Sequence, residues 1–164
     1  NLMVKSDNLT AELLIKTIGF EANKKEGNWK NGLEEVRKFI NDSVGIDTAT
    51  FSIQDGSGVS RYNYGSPSQY IDLLKWVYNN KAIRDQFINT LPNSTPKGVL
   101  NKRSLPNKVY AKTGSLSGVT TFSGYIFTNS GEIVAFSILM NGFKGDSLPY
   151  KNLQDKIVSA LSMI

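Results

Sequence analysis

Apolar residues recur at helical spacing over most of the chain and at strand spacing over one block near its end. Leu9, Leu13, Leu14 and Ile18 predict a first helix that ends near Gly19. Leu33, Val36, Phe39 and Ile40 line one face of a second, over 29–44, with charges opposite and Gly45 as its stop. A short β-branched and aromatic stretch, 50–53, predicts an extended segment. Ser66-Pro67-Ser68-Gln69 reads as a helix start, with Ser as cap, Pro at the first position and Gln at the third. Tyr70, Leu73, Leu74 and Val77 then form its buried face. Ile83, Phe87, Ile88 and Leu91 predict a short helix ended by Pro92, and a loop-rich link over 91–108 follows.

The strand block begins at the alternating pair Val109 and Ala111 and reaches a glycine-broken turn at Gly114-Ser115-Leu116-Ser117-Gly118. Two further strands are predicted over 119–128 and 133–141, joined by a hairpin turn at Asn129-Ser130-Gly131-Glu132. Phe136 to Met140 is apolar without alternation, which predicts cover on both faces. Tyr150, Leu153, Ile157, Leu161 and Ile164 place a final helix over 148–164, laid on the sheet. The fold class is therefore α+β: an antiparallel sheet with three strands from this chain, packed with helices.

Composition narrows the chemistry more than the architecture. The 164 residues are 40% hydrophobic and 20% charged, which fits one globular unit with no membrane-spanning run. The net charge is +5, but the lysines are dispersed, so no nucleic-acid partner is expected. The sequence has no Cys and no His. Thiol catalysis, a Ser-His-Asp relay, and zinc held by Cys or His are thereby excluded from these residues, and no cofactor or metal is expected. A serine activated here needs Lys, Tyr or a carboxylate as base. Lowering a lysine from ~10.4 to ~7 takes about 4 kcal/mol, from burial or a neighbouring cation. Lys112 is a candidate for that second cation.

Two short stretches carry candidate chemistry. Ser6-Asp7-Asn8 contains three good helix-capping types, and a cap is its plain reading. The other reading places the Ser6 hydroxyl and Asn8 amide in one cleft, the first passing a proton and the second holding a peptide bond. In Ala111-Lys112-Thr113-Gly114-Ser115, Lys112 is a cation at a strand end and Thr113 sets a hydroxyl beside it. Gly114 lets another backbone come close. That pattern suits an anionic, extended ligand along a sheet edge; the plain alternative is an exposed lysine before a turn. Ser94-Thr95-Pro96-Lys97 matches Ser-x-x-Lys, but Pro96 argues against the helix that would align the pair, so Ser94 is not taken as a nucleophile. Asp55-Gly56-Ser57-Gly58 predicts a tight turn.

Taken in order, Ser6-Asp7-Asn8, Asp55-Gly56-Ser57-Gly58-Val59-Ser60-Arg61 and Lys112-Thr113-Gly114-Ser115-Leu116-Ser117-Gly118 resemble the low-molecular-mass class C penicillin-binding proteins, the D-alanyl-D-alanine carboxypeptidase/endopeptidase family. The resemblance covers nearly the whole chain and implies the β-lactamase/DD-peptidase-like fold. It also implies roles: Ser6 relays a proton to the leaving amine, and Asn8 holds the substrate's peptide group. Lys112 and Thr113 bind the terminal carboxylate, Gly114 leaves room for the ligand, and the Ser115 N–H contributes to an oxyanion hole. Two departures stand out. Gly98-Val99-Leu100 replaces the family's Gly-Thr-Leu, and no credible Ser-x-x-Lys precedes Ser6. Residues 1–164 are thus expected to be the C-terminal portion of one penicillin-binding domain, inactive alone, with the nucleophile upstream. The implied partners are peptidoglycan stem peptides, β-lactams and that upstream portion, in a periplasmic or other extracytoplasmic setting. A serine β-lactamase and a non-catalytic sensing domain are the alternatives.

Overall fold

A computed structural model describes residues 2–164, which divide into two compact units, the first ending at Leu73 and the second running Leu74–Ile164. The first opens with α1 (Leu2–Lys5), α2 (Asn8–Asn23) and α3 (Trp29–Phe39). Helices α2 and α3 meet backbone to backbone. A Cβ on Gly19 would lie 2.8 Å from Gly32 N, and one on Gly32 would run into the Ile15 carbonyl. Gly19 is therefore a point of close approach rather than the predicted stop, and α2 continues to Asn23 before Lys24 caps it in a left-handed conformation. The same contact decides which face is buried: Ile15 and Gly19 are packed, whereas Leu9, Leu13 and Leu14 of the predicted stripe are exposed. Helix α3 starts on Asn28, whose side chain accepts from Asn31 N at 3.0 Å. It widens into a π-helical turn over Ile40–Val44 before Gly45.

Two carboxylates organise the rest of this unit. Glu12 accepts from Trp29 Nε1 (2.8 Å), Gly56 N (3.2 Å) and Ser57 N (2.9 Å), tying α2 to the start of α3 and to the glycine turn. Burial opposes its charge, but the donors from Ser57, Gly56 and Trp29 outweigh that and hold Glu12 below the ordinary value. Asp55 accepts from Gly58 N (2.7 Å), Ser60 N (2.5 Å) and Asn63 Nδ2 (2.8 Å), so the predicted turn is a carboxylate-centred loop. Residues 50–53 are extended only in part: Thr48–Thr50 forms a 3-10 turn, and Ser52 pairs with Tyr64. Helix α4 (Pro67–Asn79) begins as expected, with Ser66 N donating to Gln69 Oε1 at 2.7 Å.

The second unit contains α5 (Arg84–Thr90), then β1 (Val109–Leu116), β2 (Val119–Phe127), β3 (Ile133–Asn141) and α6 (Leu148–Leu161). The strands form an antiparallel sheet in the order β1-β2-β3. Val109, Ala111, Phe122, Ile126 and Phe136 share one face and pack with Leu100 and with Val158 of α6. On β3 only Phe136 is fully buried and its neighbours are half-exposed, less cover than its apolar run predicts. Helix α6 lies on the sheet through Gln154, Asp155 and Val158, with Leu161 of the predicted stripe packed against the same core; Leu153 and Ile157 of that stripe face outward.

An ion pair causes that rotation. Arg103 Nε donates to Asp155 Oδ1 at 2.7 Å, and its Nη2 donates to Gln154 Oε1 and to the Lys151 carbonyl, both at 3.1 Å. Its guanidinium lies 4.2 Å from the centre of the Phe122 ring. Gln154 Nε2 donates onward to the Thr120 carbonyl at 3.3 Å, so the network reaches strand β2. Asp155→Ala leaves this guanidinium buried without its counter-charge, and denaturant unfolding should show a loss of about 3–5 kcal/mol. A loss under about 1 kcal/mol, the scale of an exposed pair, would contradict a buried role. The depressed Glu12 group contributes stability that is present above its ordinary value of 4.5 and lost as the pH falls through its lower folded value. Glu12→Gln should therefore flatten the acid limb of the melting-temperature profile, and a limb identical to the wild type's would contradict the assignment.

Candidate active site

Strand β1 presents its polar backbone outward in a way fixed by its neighbour. Ala111 N donates to the Pro92 carbonyl at 2.8 Å, and Ser94 N donates to the Val109 carbonyl at 3.0 Å. Both bonds lie on the side of β1 away from β2. The two-residue period of a strand then turns the N–H and C=O of Thr113 and Ser115 to that same outer side. The segment at 92–94 stops covering β1 at Ala111, so these groups stand on the edge beyond it. Lys112 reaches the same edge, its Nζ donating to the Thr113 carbonyl at 2.7 Å. Burial pulls the Lys112 ammonium below the ordinary lysine value of 10.5. A cation, an outward N–H at Ser115 and the Thr113 hydroxyl thus share one strand edge. Lys112 and Thr113 project from opposite faces, so they bracket that edge instead of standing side by side as the tripeptide suggests.

The face carrying Lys112 also carries Gly114 and Leu116, with Ser123 opposite Lys112 and Thr121 opposite Gly114. Ser123 Oγ and Ser137 Oγ are 2.9 Å apart on the same face. A Cβ on Gly114 would lie 2.5 Å from Thr121 Oγ1, so a side chain there would have to displace that hydroxyl. Further along this face, Tyr125 is buried and donates its hydroxyl to the Leu74 carbonyl at 2.6 Å, and burial pushes its pKa up to about 12.

In Ser6-Asp7-Asn8 the two readings divide by residue. Asp7 is the cap of α2, its carboxylate accepting from Thr10 Oγ1 at 2.7 Å and Thr10 N at 3.3 Å. Those bonds, the hydroxyl's first, hold Asp7 below the usual carboxylate range. Asn8 is the first helical residue, and Ser6 has a φ of +53°, rare for a residue with a side chain. A hydroxyl residue held there is the kind of backbone outlier that collects at functional sites. Ser6 and Asn8 stand in the first unit and the β1 residues in the second.

Ser94 has a different occupation. It is buried, donates its hydroxyl to the Pro106 carbonyl at 2.6 Å and accepts from Val109 N at 3.0 Å, which pins the start of β1. Sequence reasoning missed this role, and it missed Glu12, Arg103 and Thr121. The first three are polar groups defined by partners distant in the chain. Thr121 had one available signal, its place opposite a glycine once the hairpin register is counted.

Residues 1–163 match the D-Ala-D-Ala carboxypeptidase 3 (S13) family. The D-alanyl-D-alanine carboxypeptidase DacB of Haemophilus influenzae is 29% identical across 96% of this chain and 34% of its own length. The D-alanyl-D-alanine carboxypeptidase of an Actinomadura species is 36% identical across 85% of this chain and 27% of its own. The chain therefore spans about a third of the length of the curated relatives it matches. The crystal structure of penicillin binding protein 4 from Haemophilus influenzae superposes with a TM-score of 0.88 at 28% identity, over 99% of this chain and 38% of that one. The TLA-3 extended-spectrum beta-lactamase shares the fold, with a TM-score of 0.73 at 21% identity, over 98% of this chain and 60% of that one. The outward edge of β1, the capped turn at Ser6 and these matches lead to one assignment: the chain belongs to the D-Ala-D-Ala carboxypeptidase 3 (S13) family.

Proposed function

We propose that this chain is the C-terminal portion of a serine-type D-Ala-D-Ala carboxypeptidase/endopeptidase that acts on peptidoglycan stem peptides outside the cytoplasm. The observation that supports it best is the edge of β1, where a desolvated ammonium and an outward Ser115 N–H lie along one strand. A peptide ending in a free carboxylate has complementary groups in the same order.

In the proposed reaction the terminal carboxylate sits against Lys112 and Thr113. The serine of an upstream Ser-x-x-Lys motif attacks the carbonyl of the D-Ala-D-Ala bond, and the motif's lysine takes its proton. The carbonyl oxygen becomes an oxyanion held by Ser115 N–H and by the nucleophile's own N–H. Ser6 passes a proton to the leaving amine, Asn8 holds the substrate's amide, and D-alanine departs. Water then hydrolyses the acyl-enzyme. A β-lactam follows the same first steps, its carboxylate on Lys112, and its ring opens to leave a stable acyl group. Among the described residues no helix is long and apolar enough to cross a membrane.

Lys112→Ala in the full-length enzyme should slow acylation by penicillin by on the order of a hundredfold, since the ligand's carboxylate loses its cation. A rate within about twofold of wild type would refute the role of Lys112. Because burial lowers the Lys112 value, its positive charge fades as pH rises through a point below 10.5. The binding of carboxylate ligands should then weaken on the alkaline side before ordinary lysines titrate, and binding constant up to 10.5 would contradict it. Fluorescent penicillin should label the full-length enzyme but not the 164-residue chain alone. Labelling of the chain alone would place the nucleophile within it. Rapid nitrocefin turnover by the full-length enzyme would favour a β-lactamase, and stable acylation without release of D-alanine would favour a sensing domain.

A further inference from the structure

Ser6 and Asn8 flank the cap of α2, and the two halves of that helix are held by different forces. Its buried residues, Ile15 and Gly19, both lie in the half that meets α3 at Gly32. Over residues 5–14 every position is exposed except Ala11 and Glu12, which are half-buried. Helix α1, just upstream, buries nothing. Among the described residues, then, no apolar stripe anchors the first two turns of α2. What meets them is the glycine loop. A Cβ on Gly56 would lie 2.6 Å from the Ala11 carbonyl oxygen, so the loop backbone comes hard against the helix. Glu12 ties the two together. Its Oε1 accepts from Ser57 N at 2.9 Å, and its Oε2 accepts from Gly56 N at 3.2 Å and from Trp29 Nε1 at 2.8 Å.

Every partner of Glu12 is a donor, and the bonds use both carboxylate oxygens. An amide of the same shape would turn its NH2 toward donors on one side, so the place requires a carboxylate rather than any polar group of that size. Bonds to an ionised acceptor are also the stronger kind. They run to two separate segments, the start of α3 and the glycine loop, and so fix α2 one helical turn past Asn8. We propose that Glu12 is a positioning residue for the proton relay: by holding the first turns of α2 to the glycine loop and to α3, it sets where the Ser6 hydroxyl stands. This rests on the peptidase reading above, in which Ser6 passes a proton to the leaving amine. It also gives Gly56 a purpose, since a side chain there would push the loop out of reach of the carboxylate.

The test uses the full-length enzyme and two acylating ligands, with each acylation rate constant measured well below the melting temperature of the variant. Benzylpenicillin releases an amine nitrogen, which must gain a proton. An acyl thioester of thioglycolate expels a thiolate, which leaves without one, and it still offers a carboxylate to Lys112. Glu12→Gln should lower the rate constant for benzylpenicillin by on the order of tenfold, the scale of a small misplacement of a reacting group. It should lower the rate constant for the thioester by no more than about twofold. Gly56→Ala, which leaves the carboxylate intact but drives the loop from the Ala11 carbonyl, should show the same split; the nearly isosteric Glu12→Gln decides the matter if Gly56→Ala does not fold. A merely structural glutamate would lower the melting temperature and slow both ligands by the same factor. The inference is overturned by that equal loss, or by a Glu12→Gln enzyme that penicillin acylates at the wild-type rate. A wild-type enzyme that penicillin does not acylate removes the peptidase reading and this inference with it. A wild type that both ligands acylate, beside a Glu12→Gln enzyme without the split, removes the inference alone.

Discussion

The two-residue period of a β-strand is the constraint on which the site depends. The segment at 92–94 takes the outward backbone groups of β1 as far as Ala111. Everything two and four residues further along must point the same way, so Thr113 and Ser115 present their groups at the edge without further machinery. A shift of one residue in the β1–β2 register would turn the Ser115 N–H inward and exchange the faces of Lys112 and Thr113. The register is therefore a functional quantity, and several features protect it. Ser94 pins the start of the strand, and the thin Gly124 opposite Ala111 allows β2 to close against it. Gln154 holds the Thr120 carbonyl directly across from Ser115.

The buried polar network around Arg103 shows how apolar packing and polar specification divide the work. Phe122, Ile126, Val109 and Val158 form a core that many rotations of α6 would satisfy. The Arg103–Asp155 pair, with Gln154 as a third member, is satisfied by one rotation only. That rotation leaves Leu153 and Ile157 outward, against the hydrophobic pattern of the helix. Apolar surface is the less directional term and gives way to a guanidinium that must not be left buried and unpaired.

The same contrast explains what was legible in the sequence. The three strands, their hairpin turn, the Ser-Pro-Ser-Gln helix start and the terminal helix follow from local patterns; the exception is the turn predicted at Gly114–Gly118, because Gly114 and Ser115 pair with β2 and β1 continues to Leu116, leaving only Ser117-Gly118 as the turn. Which face of a helix is buried did not follow in α2 or α6, because Gly19 and Asp155 act through partners, Gly32 and Arg103, that no local pattern reveals. Of the candidate site, Lys112, Thr113, Gly114 and Ser115 were legible as a strand-end motif. Their division between the two faces required the structure, as did the hydroxyl of Thr121 beneath Gly114. At Ser6-Asp7-Asn8 the capping reading holds at Asp7, while the positive φ of Ser6 is a backbone feature that no local pattern announced.

In the proposed reaction a carbonyl and the substrate's carboxylate lie along the edge of β1 with fixed polarity. A crystal structure of the full-length enzyme acylated by benzylpenicillin measures this directly. The ester carbonyl oxygen should lie within hydrogen-bond distance of Ser115 N, and the penicillin carboxylate against Lys112 Nζ and the Thr113 hydroxyl. An acyl group whose carbonyl oxygen points away from Ser115, or whose carboxylate contacts neither Lys112 nor Thr113, would contradict it.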